Sequence, residues 1–181
     1  MLSAETASGD YPLESVGIMS RIIERVERDP MWPSLMGAEH AGMDEHDVDA
    51  LVGAARMAAN APSTGCLVVF TTLGGTARRM ARERPLKPIL VLTPNPNTAR
   101  RLALVWGLET RLGDQPGSLE DVTDQAVDGA MKYGPVAAGQ RILIPAGTPV
   151  GAPGPAPPLR PAPAPPRHRT AARRAQRAHR A

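Results

Sequence analysis

Between Pro12 and Asp29 apolar residues recur at Leu13, Val16, Ile22, Ile23 and Val26, with charged residues between them. At 3.6 residues per turn those side chains form one stripe, which predicts an amphipathic helix over 12–29. Pro12 suits its first turn, and Pro30 and Pro33 stop it. A second stripe, Val48, Leu51, Val52, Ala55 and Ala59, predicts a helix over 44–60 with Asp44 as its N-cap. The loop between the two helices holds Trp32 and Met36, expected to pack as lids on apolar surface.

Beyond residue 60 the period changes. CLVVFT (66–71) is a continuous apolar, β-branched run of the kind buried on both faces of a parallel sheet. LGGTARRMARER (73–84) reads as a helix and PILVLT (88–93) as a second strand. NTARRLALVW (97–106) reads as a second helix stopped by Gly107, and LETRL (108–112) as a short third strand. SLEDVTDQAVDGAMKYG (118–134) gives a third helix and RILIPA (141–146) a fourth strand. Strand–helix–strand spacing of this kind implies right-handed crossovers. The expected fold is α/β: an open, mainly parallel sheet with helices on both faces.

Composition narrows the setting. Hydrophobic residues make up 42% and aromatics 3%, so the core must be aliphatic. One cysteine, Cys66, excludes an internal disulfide framework and fits a reducing compartment. No apolar run approaches the roughly 20 residues that span a bilayer. The N-terminus has no basic segment followed by an apolar stretch, so no secretory signal is expected. A soluble, cytoplasmic protein without a membrane partner is the expectation. The net charge of +3 is unevenly spread. Residues 151–181 hold seven arginines and no acid, which leaves 14 basic against 18 acidic residues in 1–150, about −4. The body has no obvious affinity for nucleic acid.

Ligands of open parallel sheets bind beyond the C-terminal strand ends, and FTTLGGTARR (70–79) is the strongest candidate there. Thr71 and Thr72 end a strand, Gly74 and Gly75 free the backbone, and Thr76 stands at the start of the next helix. Exposed amides, the helix dipole and three hydroxyls suit a phosphate. The same stretch also reads as a plain strand-to-helix turn with a capping threonine. Arg78, Arg79, Arg82 and Arg84 either supplement an anion site or form a solvated face. Cys66 reads as a packing residue. His40 and His46 lack other ligand types at metal spacing, so no zinc site is expected. Neither a Walker sequence nor a Ser-His-Asp arrangement is found.

Several motifs in order carry a family resemblance. MLSAETASGDYPLESV resembles the segment of pyruvate kinase running from the last strand of its (β/α)8 barrel into the following helix. FTTLGGTARRMARERP is similar to the family's Thr-x-Ser-Gly-x-Ser/Thr-Ala loop and its following Arg-Pro. ILVLTPNPNTARRLALVWGL continues the match, and GTPVGAPG (147–154) looks like the family's Gly-Thr-Pro-x-Gly-x-Pro-Gly loop. The resemblance implies a glycolytic phosphotransferase that makes pyruvate and ATP from phosphoenolpyruvate and ADP. It implies residues 1–29 as the end of the barrel with its connecting helix, and 30–154 as the C-terminal α/β domain. Met1 then resembles an internal methionine of a longer enzyme. The family's magnesium and potassium ligands and most nucleotide contacts would lie upstream, with none in this chain. Ser3, Glu5 and Thr6 would border the full-length active site, Ser8 replaces a lysine of some relatives, and the isolated chain is expected to be inactive. The family is homotetrameric, an assembly that this fragment need not form. Its allosteric effector phosphate is held by the loop matching Thr71, Thr72, Gly74, Gly75 and Thr76, and Gly147, Thr148, Gly151 and Gly154 would form the second effector loop. Where relatives activated by sugar bisphosphates often carry a basic residue, this chain has Gly75. A sugar monophosphate or AMP is the expected effector. The alternative is a stand-alone phosphometabolite-binding module without catalysis.

The final segment departs from the family. Of the 31 residues from Gly151, nine are Ala, eight Pro, seven Arg and two Gly, whose codons can all begin with two G/C bases. That is the composition of a G/C-rich gene read out of frame. The alternative is a basic arm that binds nucleic acid or an acidic surface. Residues 155–181 are expected to be disordered and to supply no replacement for the family's last strand. An unpaired sheet edge and an uncovered helix 12–29 would then make the chain marginally folded or prone to aggregate.

Overall fold

A computed structural model of the chain describes residues 1–38, 47–134, 136, 137, 139–145 and 159–164. They fall into two units, Met1–Ala41 and Gly42–Ala181.

The first unit is helical: α1 (Ala4–Ala7), α2 (Pro12–Glu27) and α3 (Trp32–Ala38). Pro12 opens α2, where its missing N–H costs nothing. The stripe expected on this helix forms, but none of its residues is buried; Leu13 is 83% exposed and Ile23 48%. Trp32 and Met36 lie in a helix rather than the expected loop. The Asp29 side chain accepts from Met31 N at 2.9 Å, Trp32 N donates to Asp29 O at 3.0 Å, and Pro33 then sits in a first turn that tolerates it.

The second unit runs α4 (Asp47–Ala59), β1 (Thr64–Phe70), α5 (Gly75–Arg82), β2 (Ile89–Thr93), α6 (Pro96–Leu102), β3 (Leu108–Leu112), α7 (Leu119–Tyr133), β4 (Arg141–Pro145) and β5 (Leu159–Pro163). The α/β reading holds. The strands form one sheet in the order β3-β2-β1-β4-β5, parallel except for the antiparallel pair of β4 and β5. Side chains alternate across it. Cys66, Val68, Leu90, Leu92, Ile142 and Ile144 pack with Val122, Ala126, Val127 and Ala130 of α7. The other face carries Leu67, Val69, Ile89, Val91 and Leu143 against Val52, Ala55 and Ala59 of α4, Ala77 and Met80 of α5, and Leu102 of α6. The central strands carry apolar runs, Cys66–Phe70 and Ile89–Leu92, because helices cover both sides. Asp44, the expected cap of α4, lies outside the described residues. Helix α6 ends at Leu102, before the expected Trp106: Val105 N bonds Leu102 O, and Gly107, at φ 72°, turns the chain into β3.

The expectation for 155–181 is corrected at 159–164. Leu159–Pro163 pairs with β4, joining Leu143 to Pro161 and Arg141 to Pro163, and Ala162 and Ala164 are buried in the core. The expected bare edge of β4 is therefore covered. An edge strand tolerates proline wherever its nitrogen faces away from the neighbour, and alanine is small enough to bury without a large residue beside it. Residues 155–158 and 165–181 lie outside the described set.

Candidate functional site

The chain passes from β1 to β2 and β3 in one direction, then returns to β4 on the other side of β1. The switch point of the sheet thus lies at the C-terminal ends of β1 and β4, where open α/β sheets leave a crevice. Thr71, the residue after β1, is fixed there at both ends. Its amide donates to Leu92 O at 3.0 Å, and its hydroxyl accepts from Gly74 N at 3.0 Å. The loop is also braced from β2 onward, because the Thr98 hydroxyl donates to Thr72 O at 2.9 Å.

Gly74 adopts φ 90°, a left-handed conformation that side chains disfavour. A Cβ there would lie 3.3 Å from both Thr98 Cγ2 and Leu102 Cδ2. At Gly75, the first residue of α5, a Cβ would meet nothing within 4 Å. The two glycines therefore do different things: one makes the turn, the other leaves space.

Helix α5 begins without a side-chain cap. By contrast, Asn95 caps α6, accepting from Asn97 N at 2.9 Å and Thr98 N at 3.4 Å, and Ser118 caps α7, accepting from Asp121 N at 3.1 Å. The first-turn amides of α5, from Gly75 to Ala77, retain their donor capacity and the positive end of the helix dipole. Thr76 stands among them, half-buried. This arrangement suits an anion.

Most arginines read as possible supplements serve elsewhere. Arg79 and Arg82 hold the buried Asp49 of α4 at 3.4 and 3.1 Å, and Arg84 stacks over Trp106 at 3.9 Å from its centroid. Arg78 stays exposed on the first turns of α5. The Thr98 brace and the Asn95 cap are additional parts of the site. The Asn-Pro-Asn-Thr run signals the cap, since Asn before a first-turn Pro is a helix start; nothing in the sequence signals the brace, which joins residues 26 positions apart.

Ser3, Glu5 and Thr6 come together in the other unit, at α1, where the Thr6 hydroxyl donates to Ser3 O at 2.9 Å. Gly147, Thr148, Gly151 and Gly154 lie outside the described residues, as do His40 and His46. Among the described residues no three of His, Cys, Asp and Glu stand close enough to hold a metal ion. No described helix is long and apolar enough to cross a membrane.

Cys66 is fully buried in the core under α7. Burial pushes its thiol up from the ordinary 9.0 to about 12. The folded chain keeps this proton where the unfolded chain loses it, so stability falls as pH rises above about 9. Iodoacetamide at mildly alkaline pH should leave Cys66 unmodified in the folded chain and alkylate it fully in denaturant. Mass spectrometry reads the difference, and rapid native alkylation would contradict the burial argument.

Comparison with known proteins gives consistent matches. The family model for the pyruvate kinase alpha/beta domain matches residues 49–157. A pyruvate kinase of Methylorubrum extorquens is 36% identical over 151 residues, covering 83% of this chain and 32% of that protein. One from Agrobacterium vitis is 38% identical over 149 residues, covering 82% and 31%. A crystal structure of a pyruvate kinase from Cryptosporidium parvum superposes with a TM-score of 0.75 at 25% identity, over 91% of this chain and 33% of that one. The chain spans about a third of the length of the curated relatives it matches.

Proposed function

Because the chain belongs to the pyruvate kinase family through its α/β domain, we propose that it is the regulatory part of such an enzyme, binding the phosphate of a small effector at Thr71–Thr76. The observation that carries this reading is the uncapped start of α5 at the switch point of the sheet. Backbone amides of Gly75, Thr76 and Ala77 take the phosphate oxygens, with the Thr76 hydroxyl as a further donor. The vacant space at Gly75 carries no second cation, which favours a sugar monophosphate or AMP over a bisphosphate. Gly147, Thr148, Gly151 and Gly154, which lie outside the described residues, belong to this proposal only through their resemblance to the family's effector loop. Calorimetry with sugar monophosphates and AMP tests this. Thr76→Ala is expected to weaken binding about 10- to 100-fold, the loss of one hydrogen bond to a charged group. Heats unchanged by that substitution count against the loop.

The family reaction, phosphoryl transfer from phosphoenolpyruvate to ADP, needs metal clamps on an aligned donor. Magnesium and potassium serve it in the family, where the resemblance puts their ligands upstream of this chain, and no step of transfer is assigned to this chain. Ser3, Glu5 and Thr6 border the active site of the whole family enzyme. The 181-residue polypeptide, supplied with both substrates and both cations, is expected to form no pyruvate above a blank without protein. A coupled lactate dehydrogenase assay measures this, and turnover above the blank would overturn it. A cytoplasmic location follows from the same reading, while the family's homotetramer is not assigned to this fragment.

A further inference from the structure

The pairing of β4 and β5 determines which way each amide of β5 faces. In a strand, the N–H and C=O of one residue point to the same side, and successive residues alternate. Arg141 N donates to Ser63 O at 2.7 Å, so Arg141 faces β1; Ala164 N donates to Gln140 O at 2.9 Å, so Gln140 faces β5. The residues of β4 that face β5 are then Ile142 and Ile144, opposite Ala162 and Arg160. Leu159, Pro161 and Pro163 consequently turn their backbone groups outward, away from the sheet. Among the described residues β5 is the last strand in the order, and two of its three outward positions have no N–H to offer. Pro161 and Pro163 are exposed.

We infer that Pro161 and Pro163 close this edge of the sheet to a further strand, so that a second copy of the chain cannot extend the sheet through β5. An incoming strand would find outward carbonyls but a single donor, at Leu159, which is too few for a continuous ladder. Prolines at the inward positions would instead have broken the pairing with β4. Their alternation therefore serves both sides: it keeps β5 attached and blocks its outer edge. The opposite edge, β3, has no proline and carries the ion pair of Glu109 and Arg111 at 2.6 Å, so the two edges are guarded differently.

Sedimentation velocity over a concentration series, with the full chain and two double variants, tests this. Pro161→Val with Pro163→Val restores both outward amides. It should tighten self-association roughly tenfold or more over the unchanged chain, since each new rung adds hydrogen bonds. Hydrogen exchange at the amides introduced at 161 and 163 should slow as concentration rises. Pro161→Gly with Pro163→Gly restores the same amides without apolar side chains and should show the same concentration-dependent protection. Association equal to that of the unchanged chain in both variants overturns the inference. So does association of the valine variant alone with its new amides still exchanging freely. Exchange in the unchanged chain gives a reading independent of either variant: Ala162 and Ala164 should be protected and Leu159 unprotected at every concentration. Protection of Leu159 that grows with concentration would mean the edge is open.

Discussion

Gly74→Val is expected to remove phosphate binding and to destabilise the domain by about 2–3 kcal/mol, whereas Gly75→Ala next to it leaves the fold unchanged. The difference lies in the backbone. A β-branched residue at φ 90° pays about 1–2 kcal/mol for the left-handed conformation alone. Its Cβ would also press on Thr98 Cγ2 and Leu102 Cδ2 from 3.3 Å. Thr98 holds Thr72 O, so relief of that contact pulls the brace from the loop and misaligns the first-turn amides. Gly75 has no such neighbour and no positive φ. Thermal melts and phosphate titrations of the pair check this. Equal behaviour of the two variants would show that Gly74 does not set the loop.

Leu67→Ala is expected to cost about 2–5 kcal/mol, a large part of the 5–15 kcal/mol by which domains are stable. Leu67 is fully buried in the central strand β1, between β2 and β4, on the face covered by α4 and α5. Strand neighbours on both sides limit collapse into the cavity. Ile23→Ala on α2 is the comparison: Ile23 is 48% exposed, so its loss should cost under about 1 kcal/mol. Urea unfolding of both variants reads the contrast. Equal midpoints would contradict the placement of the core.

These particulars also show what the chain's letters disclose. The runs at 66–71 and 88–93 could be read as buried strands because apolar residues occupy both faces, and the Gly-Gly after the first marked the turn. The stripe of α2 was equally plain. The pattern could not show that Thr98 reaches back to Thr72, since no local rule joins two residues across two strands. The strand at Leu159–Pro163 was hidden for another reason. Proline and alanine argue against a strand by composition, and only pairing with β4 shows that each proline falls where no donor is needed. Trp32–Ala38 was missed because Pro33 reads as a stop, although it is tolerated in a first turn.

The central claim is that the start of α5 receives a phosphate. Two-dimensional NMR of the backbone amides, recorded while a sugar monophosphate or AMP is added, tests it most directly. The largest saturable shifts are predicted at Gly75, Thr76 and Ala77, with smaller ones at Thr71 and Thr98 and none along β3. Saturable shifts centred elsewhere, or no shift with either ligand, would contradict the account.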